Sequence, residues 1–122
     1  MSPNEYQAAA QRTYPESYKN LTSLDGVNHL IHAHLGMSSE TGEVADALKK
    51  HLVYGQPLDS TNIVEECGDK LWYIALALSA CDCTLEECME ANINKLKIRY
   101  PEKFTEQCAI SRADKHQDYP KL

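Results

Sequence analysis

The sequence predicts an all-α fold, a helix bundle of about four to five helices. Three observations carry this. Apolar residues recur at helical spacing rather than in alternation. Glycine and proline are scarce, five of each, and fall between the periodic segments as boundaries. No segment reads as a strand. With 122 residues and neither repeat nor linker, a single domain over 1–122 is expected, its core at about 27–104 and a polar tail at 105–122.

The first helix is expected from Pro3 to about Arg12. Ser2 can cap it, proline suits the first turn, and Glu5 sits three residues after the cap. Thr13 to Gly26 reads as irregular, with Pro15 and Gly26 as breakers. The second helical region runs from about Val27 to Tyr54. Leu30, Met37, Val44 and Leu48 form its expected buried stripe, and Gly36 marks a place for a bend or a break. Gly55 and Pro57 end it after Lys49, Lys50 and His51, cations that favour a helix C-terminus.

A third helix is expected from near Ser60 to about Ala80. Ile63, Val64, Cys67, Leu71 and Ile74 share one face, and from Leu71 onward the helix is apolar nearly all round. A small monomer would not readily cover that surface, so a homo-oligomer is expected. A fourth helix starts at Thr84, where Glu87 completes a capping-box pattern. It continues through Met89, Ile93 and Leu96 and stops at Tyr100, before Pro101. The tail from Glu102 onward reads as mostly irregular.

Composition narrows the function. The net charge is −6, from 18 acidic and 12 basic residues, which disfavours a broad nucleic-acid surface. The apolar run Leu71 to Ala80 is far short of the ~20 residues that span a bilayer, and no signal peptide is evident at Met1 to Tyr6. A soluble cytoplasmic protein without membrane partners is expected. Cys67, Cys81, Cys83, Cys88 and Cys108 are odd in number and lack the spacing of a zinc site, so free, largely buried thiols are expected.

The chemistry points to carboxylates. Glu40 and Glu43 are three apart on the second helical region; Glu66 and Asp69 are three apart on the third, beside Glu65. Such spacing puts each pair on one helical face, where the charges repel unless a cation intervenes. Spacing alone says little, because Glu43/Asp46 and Glu87/Glu90 share it. Placement says more. Glu66, Asp69 and Tyr73 form one stripe that runs into the apolar half of its helix, an unfavourable place for unpaired charge. Glu40 and Glu43 lie between the small residues Gly36 and Ala47. A metal site and a solvated acidic face both remain open.

On the fourth helix Asn92, Lys95 and Arg99 align at i, i+3 and i+7. That stripe suits a polyphosphate or is simply a solvated polar face. No glutamate is followed three residues later by histidine, which argues against a carboxylate-bridged iron bundle. His29, His32 and His34 are expected on different sides of their helix, with His32 toward a ligand or else a surface or core histidine. There is no P-loop and no glycine-rich dinucleotide fingerprint.

GMSSETGEVADALKK (36–50), then EECGDKLWY (65–73), resembles the MazG-like nucleoside triphosphate pyrophosphohydrolases, whose hallmark is ExxE, a spacer, then ExxD. NINKLKIRYPEKF (92–104) is similar to that family's third segment. The resemblance implies an all-α NTP pyrophosphatase fold, assembled as a dimer or a dimer of dimers. It implies magnesium-dependent hydrolysis of a (deoxy)nucleoside triphosphate to monophosphate and pyrophosphate, with manganese as a substitute ion. By the same resemblance Glu40, Glu43, Glu66 and Asp69 are the catalytic metal ligands. Tyr73, Asn92, Lys95, Arg99 and Lys50 are the substrate-binding set. Glu65 orients water or caps the cluster. Cys67–Gly68 stands where Leu-Gly is usual, a small change that keeps the glycine. A phosphoribosyl-ATP pyrophosphohydrolase-like enzyme and a non-catalytic nucleotide-binding regulatory module are the alternatives.

Overall fold

A computed structural model describes residues 1–20 and 27–115. It contains α1 (Pro3–Gln11), α2 (Asn28–Tyr54), α3 (Ser60–Ala80), α4 (Leu85–Arg99) and α5 (Glu106–Ser111). A 3₁₀ turn follows at Ala113–Lys115. No strand occurs among the described residues, so the all-α class holds. The expected breaker Gly26 and the end of the tail, 116–122, lie outside the described residues.

Local chemistry sets the boundaries. Ser2 and Glu5 form the expected capping box: the Glu5 N–H donates to Ser2 Oγ at 3.2 Å, and the Ser2 N–H donates to Glu5 Oε2 at 2.6 Å. Asp59 caps α3 by accepting from the Asn62 N–H at 3.0 Å. At the end of α2, Gly55 adopts φ 66°, the left-handed conformation glycine takes without strain. Gly36 does not break α2, which runs unbroken through it. Gly36 and Gly42, two glycines in 27 helical residues, each lower propensity by about 1 kcal/mol, less than packing can offset.

Residues Met1–Leu85 form one compact unit and those after Leu85 a second. In the first, α2 and α3 make a helical hairpin and α1 packs on α3. Gln7 fastens α1. Its amide nitrogen donates to Ser79 Oγ (3.1 Å) and to the Cys83 carbonyl (3.0 Å), and its oxygen accepts from the Leu85 N–H (2.7 Å).

The buried face of α2 differs from the expected stripe. Ala33 and Gly36 are buried, whereas Leu30, Met37 and Val44 are half-buried and Leu48 is exposed. Small side chains let the two helices approach closely, which leaves the larger residues at the margin. On α3 the expected shared face is not the core either: Val64, Cys67 and Leu71 are exposed and Ile63 and Ile74 half-buried, while Ala75 and Leu76 are fully buried.

The second unit corrects the reading of the tail. Thr105 caps α5 by accepting from the Cys108 N–H at 3.1 Å, so a short helix replaces the expected irregular segment. Asp114, only 3% exposed, ties that end of the chain to α4 through Arg99.

A carboxylate cluster beside an aromatic cavity

Three carboxylates converge where α2 and α3 pack. Oxygens of Glu40, Glu66 and Asp69 all lie within 4.8 Å of one another. Glu40 comes from α2 one turn beyond Gly36; Glu66 and Asp69 come from successive turns of α3. Gly36 makes the approach possible. A Cβ there would overlap the ring of Tyr73, which packs close against the helix at this position.

Such a cluster is electrostatically unfavourable by itself. Glu66 is 9% exposed. Burial first, then a hydrogen bond with Glu40 and the charges of Glu40, Glu43 and Asp69, pushes the Glu66 carboxyl above its ordinary range. A hard divalent cation relieves this repulsion and prefers carboxylate oxygens, so the donor set fits such an ion. Glu43 adds its charge but stands at one side. It lines a separate cavity of about 330 Å³ with Asp46, Ala47, Lys50, Asp59 and Asn62. Lys50 there is paired with Asp46 at 2.6 Å, which holds the lysine above and the aspartate below their usual ranges.

A second cavity, about 410 Å³, opens directly beside the cluster. It is lined by Thr13, Glu40, Asp69, Trp72 and Tyr73, and its volume falls within the ~300–1,000 Å³ usual for small-molecule sites. Trp72 and Tyr73 stand edge to face, with centroids 5.0 Å apart. The Trp72 Nε1–H donates to Thr13 Oγ1 at 2.7 Å, and the Thr13 hydroxyl donates to the Ala10 carbonyl at 2.8 Å.

Sequence reasoning passed over Thr13 and Trp72. Adjacency to Tyr73 and the presence of a single tryptophan in the chain were available signals for Trp72. It also misplaced the histidines. His29 and His32, three apart, lie on one face of α2, where the Tyr18 hydroxyl bridges their Nδ1 atoms at 2.8 and 3.0 Å. A spacing of three turns only about 60° around a helix, so a common partner can reach both.

The expected phosphate-binding stripe belongs to the second unit. Asn92 is exposed and Lys95 half-buried on α4. Arg99 is already engaged: its Nε and a terminal nitrogen donate to the two Asp114 oxygens at 2.6 and 2.7 Å. This bidentate pair holds the Asp114 carboxyl down at about 2 and raises the guanidinium further. Arg99 is therefore an anchor for the tail rather than a free cation. Glu65 is exposed next to Glu66.

Comparison with known proteins bears on this geometry. Residues 31–104 match the family model of the MazG nucleotide pyrophosphohydrolase domain, a span that holds all three clustered carboxylates. The chain is 31% identical over 99 residues to the Gene 37 protein of Mycobacterium phage L5, covering 77% of this chain and 84% of the phage protein. No solved structure matches.

Proposed function

The chain belongs to the MazG nucleotide pyrophosphohydrolase family, and from that membership we propose that it hydrolyses a (deoxy)nucleoside triphosphate to the monophosphate and pyrophosphate with magnesium. One observation carries the proposal: the cluster of Glu40, Glu66 and Asp69 opens onto a cavity walled by Trp72 and Tyr73. Carboxylates for a cation and a neighbouring aromatic wall match the two ends of a metal–nucleotide.

In this reading Glu40, Glu66 and Asp69 hold the ion, with Glu43 as the flanking fourth carboxylate. A divalent cation held there supplies Lewis acidity toward the phosphate oxygens and the attacking water. Water attacks the α-phosphorus, the α–β bridging bond breaks, and pyrophosphate leaves with the bridging oxygen. A motif glutamate accepts the proton lost by the water. Tyr73 contacts the sugar or phosphate. Asn92 and Lys95 bind the polyphosphate, with Lys50 as a further cation on the Glu43 side. Arg99 serves through its hold on Asp114.

We place the enzyme in the cytoplasm, where its five cysteines, none of them in a disulfide, stay reduced. No helix among the described residues is long and apolar enough to cross a membrane. We also propose that it works as a homo-oligomer, a dimer or a dimer of dimers. Val64 is 71% exposed and Leu71 45%, so one face of α3 carries uncovered apolar surface in the single chain.

The test is a panel of the common ribo- and deoxynucleoside triphosphates, with phosphoribosyl-ATP included, incubated with magnesium and resolved by chromatography. Monophosphate and pyrophosphate from at least one nucleoside triphosphate supports the proposal. Turnover of phosphoribosyl-ATP alone would reassign the substrate, and binding without turnover would make the protein a regulatory module.

A further inference from the structure

The segment after α1 is tied to the aromatic cavity by side-chain hydrogen bonds that the proposed chemistry does not use. At one end Thr13 accepts from the Trp72 indole N–H. At the other, the Tyr18 hydroxyl lies between His29 Nδ1 and His32 Nδ1. A hydroxyl has one proton. With both imidazoles neutral it donates to one Nδ1 and accepts from the other, so the bridge orients both rings. The His32 ring then stands edge-on to Trp72 and Tyr73, with centroids 5.9 and 5.6 Å away. Tyr14 braces Trp72 from another side, at 5.3 Å and perpendicular.

The polar atoms of Trp72 and Thr13 are already paired. The indole N–H is held by Thr13, and the Thr13 proton by Ala10. Trp72 therefore offers the cavity mainly ring surface, and a flat aromatic ligand is what such surface binds. The clustered carboxylates line the same cavity through Glu40 and Asp69, which assigns the opposite end of the ligand to the cation.

We propose that Trp72 stacks on the nucleobase of the substrate, and that Tyr18 is a positioning residue for this wall, acting through His32. This rests on the nucleotide reading above but concerns only the nucleoside end. It predicts that loss of the Tyr18 hydroxyl weakens recognition of the nucleoside and leaves the polyphosphate contacts untouched.

Trp72 is the only tryptophan, so its fluorescence reports the wall directly. The probes are α,β-imido analogues of the four common deoxynucleoside triphosphates, with inorganic tripolyphosphate as the probe lacking a nucleoside, each with magnesium. At least one analogue should quench Trp72 fluorescence, and tripolyphosphate should bind without quenching. Tyr18→Phe keeps the ring and removes the hydroxyl. It should weaken the analogue about five- to tenfold, raise KM by the same factor, and leave kcat and tripolyphosphate affinity within twofold. Thr13→Val should act in the same direction by releasing the indole N–H.

The proposal is overturned if an analogue binds by calorimetry without quenching. It is overturned equally if the two variants weaken analogue and tripolyphosphate alike, or neither. Quenching by an analogue together with no turnover of any triphosphate would remove the pyrophosphohydrolase reading and leave this one standing. Turnover with no analogue quenching would do the reverse, and neither binding nor turnover would remove both.

Discussion

Replacing Gly36 by alanine sets two known effects against each other. Glycine inside a helix is about 1 kcal/mol worse than alanine, so the substitution favours α2. The new Cβ would fall on the Tyr73 ring, and overpacking of that kind costs about 1–3 kcal/mol. The net change is a loss of up to about 2 kcal/mol. For 122 residues the unfolding entropy makes 1 kcal/mol worth about 4 °C, so Tm should fall by up to about 8 °C. Activity should fall by more than this implies, because Tyr73 lines an open cavity and can relieve the clash only by swinging into it beside Glu40 and Asp69. Calorimetry and steady-state kinetics on the same sample check both parts. A Tm raised by about 4 °C with full activity would show the helix gain unopposed, and would refute the close packing of Tyr73 on Gly36.

Glu66→Gln should abolish turnover and the magnesium-induced rise in Tm, yet raise the Tm of the metal-free protein by removing one of several crowded charges; a lowered metal-free Tm would contradict the strained cluster. Asp114 has its carboxyl held at about 2 against an ordinary 3.8, so its contribution is full above 3.8 and is lost as pH falls through about 2. Hydrogen exchange should show α5 loosening over that window, and Asp114→Asn should remove the dependence. Lys95→Ala should lower kcat/KM about ten- to a hundredfold by deleting a charge-assisted phosphate contact, whereas Lys97→Ala, about 160° round the helix, should be silent; equal effects would reduce the stripe to a solvated face.

Much of the fold was legible because its signals are local. Ser2, Pro3 and Glu5 announce α1, Gly55 ends α2, and Ser60 opens α3 where it was placed. What failed depends on partners distant in sequence. Period alone favours the large residues Leu30, Met37, Val44 and Leu48 as the core stripe, but close helix approach selects Ala33 and Gly36. The Tyr18 bridge joins an irregular segment to α2, and no helical period reports it. Arg99 looked free because Asp114, its partner, lies fifteen residues on in a tail with no recognised element. Spacing offered Glu40/Glu43 and Glu66/Asp69 only as two pairs, and the family resemblance joined them into one ligand set; the structure brings Glu40, Glu66 and Asp69 together. The structure adds that Glu43 stands apart beside Lys50.

We propose that carboxylates at the α2–α3 contact drive cleavage between the α and β phosphates. ³¹P NMR of a nucleoside triphosphate incubated with magnesium and enzyme tests it most directly, with Asp69→Asn alongside. Monophosphate and pyrophosphate in equal amounts from the wild type, and neither from Asp69→Asn, are the predicted spectra. Nucleoside diphosphate with inorganic phosphate, or unchanged turnover in Asp69→Asn, would contradict the account.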